Sequence, residues 1–227
     1  MREDLSIQTI RTSAEETLAR FNTPEAAAKY ARSLGGTATH HRELRCLRRA
    51  LEGVPTGTSV LDLPCGTGRL LPALAALGFR VVEADSSPHM VDLARAYLKA
   101  QGVVHPQEAF VVTSVFETGF SDDTFGAVVC NRLFHHFRES SVRQRALAEL
   151  RRIACGPIVA SFFSSHTLDG VVFHLRQTLR RRLPTDRIPI RPTTFADDAR
   201  AAGLRVIQWI SPRPGISKQC YAVLVRG

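Results

Sequence analysis

Short apolar runs alternate along the chain with segments in which leucine, valine and alanine recur every three or four residues, a pattern that predicts an α/β fold. Val60-Leu61-Asp62-Leu63 is a run of the kind needed by a parallel strand covered on both faces, and Pro64 ends it because proline has no N–H for a sheet ladder. Leu70, Leu71, Leu74 and Leu77 then recur at helical spacing as far as Gly78. Phe79 to Ala84 reads as the next strand, with Asp85 at its end. Ser87 and Pro88 then open a helix that runs to Gln101, one as cap and the other at the first helical position. Further strands are predicted at Ala109–Thr113, Phe125–Cys130 and Pro157–Phe163, with a helix at Ser140–Arg152. A last helix, capped by Thr194 with Asp197 in the acidic place of a capping box, ends at Gly203. Leu204–Ile210 and Gln219–Val225 are strands whose linker is too short for a crossover helix, so they form an antiparallel hairpin.

Two stretches lie outside this strand-helix alternation. Near the N-terminus, Thr23-Pro24-Glu25 starts a helix that ends at Gly35-Gly36, and His40–Leu51 is a second, with Leu44, Leu47 and Leu51 on one face. Tyr30, His40 and His41 are candidate pocket residues on them. Ser164 to Pro192 carries a helix with Val171, Val172, Leu175 and Leu179 on its apolar side, followed by Arg180-Arg181-Arg182 and a stretch rich in Pro and Arg. The expected organisation is an N-terminal helical cap (1–52) and a main domain (53–227) with a lid insertion at 164–192, in which Arg176, Arg180, Arg181, Arg182, Arg187 and Arg191 meet an anion or an acidic surface.

The chemistry concentrates where the first two strands end. Gly66 and Gly68 make a turn that lets a ligand approach the backbone, and Asp85, 17 residues after Gly68, is positioned to accept two ribose hydroxyls. The third small residue of a dinucleotide fingerprint is missing, since Leu71 stands there, and Asp62 would repel a pyrophosphate but faces a cation well. Both points favour a nucleoside carrying positive charge over NAD.

Leu61-Asp62-Leu63-Pro64-Cys65-Gly66-Thr67-Gly68 followed by Asp85-Ser86-Ser87-Pro88-His89-Met90 resembles the first two motifs of class I S-adenosylmethionine-dependent methyltransferases, in particular the small-molecule group that includes ubiquinone and menaquinone biosynthesis enzymes. The resemblance extends from about Ser59 to about Ala160. It implies a Rossmann-like, seven-stranded sheet with one reversed strand, and S-adenosyl-L-methionine as cofactor. It also implies that Asp62 and the turn (Pro64, Cys65, Gly66, Gly68) hold the methionine part and that Asp85, with Ser86 and Met90 beside it, holds the ribose. Ser114 stands where the family often has an adenine-binding Asp, and Val115 and Phe116 are expected on the adenine face. Asn131 to Phe137 occupies the segment facing the methyl group. It lacks the prolines associated with methylation of a DNA base amine, and it offers His135 and His136 as candidate general bases for a hydroxyl acceptor.

Composition narrows the picture little further. With 44% hydrophobic and 22% charged residues the chain is ordinary for a globular protein, no apolar run approaches a membrane span, and Met1-Arg2-Glu3-Asp4-Leu5 lacks a signal peptide's apolar core, so a cytoplasmic location is expected. Five cysteines in no paired spacing suggest neither zinc nor a redox couple. A net charge of +9, nearly all of it arginine, suits an anionic partner: a charged small molecule, RNA or a membrane surface. The resulting expectation is methyl transfer to O, N or C of a small molecule, with an RNA methyltransferase and a non-catalytic cofactor-binding protein as alternatives. The acceptor and the oligomeric state have no signature.

Overall fold

The computed structural model describes residues 12–34, 38–103, 105–106, 109–179 and 187–227, excepting the side chains of residues 30–34, 174, 178 and 179. Three helices come first, α1 (Ser13–Phe21), α2 (Pro24–Leu34) and α3 (Ala38–Ala50). There follow β1 (Ser59–Asp62), α4 (Leu71–Ala76), β2 (Arg80–Asp85), α5 (Pro88–Ala100), β3 (Phe110–Val112), β4 (Ala127–Cys130), α6 (Ser140–Ile153) and β5 (Ile158–Phe163). The chain closes with α7 (Leu168–Leu179), α8 (Pro192–Ala201), β6 (Leu204–Ile210) and β7 (Gln219–Arg226).

The seven strands form one sheet in the order β3-β2-β1-β4-β5-β7-β6. Strands β1 to β5 run parallel, and β7 lies antiparallel to both β5 and β6. This is the expected doubly wound α/β sheet with one reversed strand and a C-terminal hairpin. The strand order reverses direction at β1, so the crevice at the carboxyl ends of β1 and β4 is where such a sheet binds ligands.

Both faces of the sheet are covered, which is why its central strands read as unbroken apolar runs. Leu61, Val128, Cys130 and Phe162 pack with Leu147, Leu150 and Phe195 on one side. Val60, Val129 and Val159 pack on the other with Leu71, Leu74, Val91 and Leu98, and with Cys46 and Leu47 of α3. Helix α3 is thus part of the second core.

Two local expectations differ from the structure. Helix α8 begins three residues earlier than the Thr194 cap predicts: Arg191 is at the cap without a side-chain bond, Pro192 occupies the first turn, and Thr194 is inside the helix. Proline's fixed φ suits that first position, so it sets the start that the Thr-Asp pair only imitates. Helix α4 begins at Leu71, because residues 66–70 are spent on turns after β1. Helix α1 carries a capping box that the sequence reading did not register, with the Thr12 hydroxyl accepting from the Glu15 N–H and the Glu15 carboxylate accepting from Thr12.

Candidate active site

The turn after β1 is fixed from below by β2. The Cys65 N–H donates to the Ala84 carbonyl at 2.7 Å, and the Gly66 N–H donates to Asp85 Oδ2 at 3.0 Å. The other oxygen of Asp85 accepts from the Ser87 N–H at 2.9 Å, so the carboxylate joins the turn to the start of α5. Burial raises its pKa to about 6, against the pull of the Ser87, Gly66 and Ser86 amides. Ser87 caps α5 through Met90 N, which sets Met90 beside the crevice.

The two glycines do different things. Gly66, at φ +56°, lines the crevice together with Pro64, Asp85, Ser86 and Met90. Gly68, at φ +70°, faces away, and a Cβ there would sit 3.0 Å from Ala94 Cβ and 3.3 Å from Leu98 Cδ1 of α5. The close helix packing for which the dinucleotide fingerprint keeps a third small residue falls here to the second.

Beneath the turn are two carboxyl groups that the sequence reading treated unequally. Asp62 pairs in register with Glu83 on the neighbouring strand, and both are fully buried. None of their four oxygens has a hydrogen-bond partner. Desolvation pushes the Asp62 carboxyl up to about 8, with Arg69 pulling it down and Asp85 pushing it further up. Glu83 is raised well above the ordinary range by burial and by Asp62. Burial therefore favours the neutral form of both carboxyls. Glu83 was missed because a carboxylate inside an apolar strand has no motif to mark it. The Cys65 thiol lies beside Glu83 and is raised well above its usual range by its own burial.

From this point a continuous groove runs along the strand ends in both directions. One end is an apolar slot between Leu63, Pro64, Ser86, Thr113, Ser114, Val115, Phe116, Leu133 and Phe137, suited to a flat ring. The Ser114 hydroxyl there accepts from its own turn, the Phe116 N–H at 3.3 Å. The other end is bounded by Asn131, Arg132, Leu133, His136 and Arg187. The groove has a roof, formed by Ala14, Thr17, Leu18 and Phe21 of α1. Helix α1 is held there by the Ser13 hydroxyl, which bonds to Glu139 and accepts from the Arg138 N–H, and by an Arg138–Glu16 ion pair at 2.9 Å. Thr17 and Phe21 were not foreseen; the Thr-Ser-Ala-Glu capping box of α1 was the available signal.

The segment after β4 is strained and heavily braced. Arg132 has φ +63°, a conformation that costs a side-chain-bearing residue about 1–2 kcal/mol. Its N–H donates to the Ser161 hydroxyl at 2.7 Å, and that hydroxyl donates to Asn131 Oδ1 and accepts from Gln219 Nε2, both at 2.9 Å. The Arg132 guanidinium meets Glu43 Oε1 at 3.0 Å, while Arg69 meets Glu43 Oε2 at 2.8 Å. Glu43, on α3, is 1% exposed.

The two histidines separate sharply. His135 is buried, stacks flat on Phe163 with ring centroids 3.9 Å apart, and is not among the residues lining the groove. Burial holds its pKa well below the usual range, and its Nδ1 has no hydrogen-bond partner. This placement argues against the general-base expectation for His135: the ring is a neutral member of the core. His136 is on the groove wall, edge-on to Phe21. Of the other expected site residues, Pro64, Gly66, Asp85, Ser86, Met90, Ser114, Val115, Phe116 and Asn131 line the groove, whereas Asp62, Cys65 and Gly68 lie behind it. His40 is engaged with Arg69 at 2.7 Å and His41 is exposed, so neither lines the groove. The Tyr30 side chain and Arg180, Arg181 and Arg182 lie outside the described residues; Arg187 is the arginine of the insertion that reaches the groove among those described. Among the described residues no helix is long and apolar enough to cross a membrane.

Comparison with known proteins agrees with this geometry. The family description "Methyltransferase domain" matches residues 60–155. A ubiquinone biosynthesis O-methyltransferase of Xanthomonas axonopodis pv. citri is 34% identical over 97 residues, which cover 42% of this chain and 39% of that protein. Its counterpart in Rhizobium johnstonii is 27% identical over 173 residues, covering 74% of this chain and 65% of the relative. The chain thus spans less than two thirds of these relatives' length. In three dimensions the chain superposes on magnesium protoporphyrin IX methyltransferase from Synechocystis PCC 6803, solved with bound SAH, with a TM-score of 0.71 and 16% identity, covering 95% of this chain and all of that one. Residues 60–155 thus match the methyltransferase domain family, the chain as a whole has the methyltransferase fold, and together with the motif pair these findings support a class I S-adenosylmethionine-dependent methyltransferase.

Proposed function

We propose that the protein binds S-adenosylmethionine in the groove along the ends of β1, β2 and β4 and transfers its methyl group to a nucleophilic atom of a small molecule. The observation that carries this reading is one continuous, roofed groove with an apolar slot at one end, Gly66 and Asp85 in the middle and Asn131 and His136 at the other. Its residues suit the cofactor's parts. Asp62 offers a buried carboxyl with no partner, one that ionises readily once an ammonium group arrives. Each oxygen of Asp85 accepts one backbone N–H and keeps a lone pair for a ribose hydroxyl. When bound, the cofactor supplies an electrophilic methyl on a sulfonium.

The chain's own contribution is positioning and exclusion of water. Thr17, Leu18 and Phe21 cover the groove, and Ser161 holds the Asn131-Arg132 segment against the ends of β4 and β5. Holding the acceptor in line with the methyl provides much of the rate of such a displacement. If the acceptor is a hydroxyl, His136 is the residue for its proton. We read α1 as a cap over the groove of the methyltransferase domain of 53–227, with α3 packed into that domain's core. The roof over the groove favours a small acceptor over a folded RNA.

Calorimetric titration with S-adenosylmethionine and S-adenosylhomocysteine tests the reading: micromolar binding is expected, and no heat at high micromolar concentration overturns it. The base assignment is tested with radiolabelled methyl transfer into a metabolite extract. His136→Ala should slow transfer at saturating acceptor by about 10²–10⁴-fold if the nucleophile is protonated.

A further inference from the structure

Beside the methyl end of the groove lies a second cavity, of about 250 Å³, that no part of the cofactor reading uses. Its walls come from five separate places: α3, the segment after β4, the end of β5 at Phe163, the insertion at Asp169 and Arg187, and the β6–β7 connection with the start of β7. Five cationic side chains line it, Arg42, Arg132, Arg187, Arg213 and Lys218, against two carboxylates, Glu43 and Asp169. Glu43 is already held by Arg69 and Arg132, so the balance around the space is strongly positive. Arg132 and Arg187 line this cavity and the groove alike, which makes them the common wall between the two.

We infer that this cavity is the acceptor's anchoring subsite and that it takes a compact anionic group, a carboxylate or a phosphate. The inference rests on the methyl-transfer reading of the neighbouring groove. Cations brought together from sequence-distant segments into a recess repel one another, and an anion with two or three oxygens removes that repulsion while accepting forked guanidinium bonds. The cavity is also rigidly floored. Gln219 is fixed by its bond to Ser161, and Lys218 Nζ sits 4.7 Å from the Phe163 ring centroid and 5.0 Å from that of Phe173, which hold the ammonium in place over aromatic faces. From an anion seated here, the rest of the molecule can extend past Arg132 and Arg187 toward Asn131 and His136. The acceptor is thereby gripped by its charged end and presents its nucleophile at the other. Much of the chain's arginine excess is diffuse, but this part of it is convergent.

The test uses the full chain, at constant ionic strength set with NaCl, titrated with inorganic phosphate and separately with benzoate in the presence of saturating S-adenosylhomocysteine. The wild type should bind at least one of the two anions, and the tighter one identifies the group. The double variant Arg42→Gln, Arg213→Gln should lose about tenfold or more of that affinity, the scale expected for charge-assisted bonds, with S-adenosylhomocysteine affinity and melting temperature unchanged because neither residue lines the groove. Anion affinity equal in wild type and variant, or no binding of either anion while S-adenosylhomocysteine still binds, overturns the inference. Failure of S-adenosylhomocysteine itself to bind would instead strike the methyltransferase reading. As a second variant, Lys218→Gln should reproduce the loss, and its doing so separates a local subsite from a general effect of removing arginine charge.

Discussion

Replacing Asp62 by Asn should change stability and cofactor binding in opposite directions. In the wild type the Asp62 carboxyl is fully buried beside Glu83 and its pKa is raised from 3.8 to about 8. The folded chain therefore holds this proton more tightly than the unfolded chain does. Between about pH 4 and pH 8 the native state binds more protons, and its stability falls as pH rises through that window. The full rise is worth on the order of 5 kcal/mol at alkaline pH, reckoning about 1.4 kcal/mol for each tenfold in proton affinity. Asn keeps the shape and cannot ionise, so Asp62→Asn should melt above the wild type at pH 9, match it or fall slightly below at pH 5, and show a flatter dependence between. The slope that remains belongs to Glu83. Binding should move the other way: the variant offers a methionine ammonium an amide in place of a carboxylate, and losing a charge-assisted bond of about 1.5–3 kcal/mol weakens S-adenosylhomocysteine binding by about 10- to 100-fold. Thermal scans from pH 5 to pH 9, paired with calorimetry in two buffers of different ionisation enthalpy, read both effects, and the wild type should release a proton on binding. If Asp62→Asn keeps the wild-type pH slope, or binds the cofactor product as tightly as before, the reasoning is wrong.

Gly68→Ala should lower stability by about 2–5 kcal/mol, from a left-handed backbone position and a Cβ pressed against Ala94 and Leu98. A fall of the melting temperature by about 5–20 °C is expected, and a change under 2 °C would contradict the packing role given to this glycine. Arg143 bonds Asp198 at 2.6 Å, the Phe137 and Arg138 carbonyls and the Ser140 hydroxyl, all at a site 4% exposed. Arg143→Ala should cost about 3–5 kcal/mol in urea denaturation, whereas Arg143→Met combined with Asp198→Leu should recover most of it, because the penalty comes from stranding one buried charge.

What the sequence disclosed follows the physics of each region. The strands β1, β2, β4 and β5 are largely buried on both faces, so their predominantly apolar runs announced them, and Ser87 and Pro88 marked the start of α5 because cap and first turn have strict residue preferences. Gly66 and Asp85 were legible through their spacing. Their neighbours were not: Glu83 occupies a strand position with no chemical signature, and the division of labour between Gly66 and Gly68 depends on which side α5 approaches. His135 and His136 are adjacent and identical in sequence, and only the stacking on Phe163 assigns one to the core. The roof residues Thr17 and Phe21, and the convergence of Arg42, Arg132, Arg187 and Arg213, arise from long-range docking, which no local pattern encodes.

The buried carboxylate of Glu43 has a consequence for how the site comes into being. It joins a residue just after the glycine turn to one just after β4, and its partner Arg132 is 89 positions away. Before α3 docks, both arginines lack the Glu43 carboxylate that joins them, although Arg69 also faces Asp62. The sheet can therefore form and remain incompetent, with donor and acceptor sides completed in a single late step by an element from the chain's beginning. Pulsed hydrogen exchange during refolding should show amides around Arg69 and Arg132 becoming protected together with α3 and after β1 and β4. Protection there at the same time as the strands would mean that the two sides mature independently.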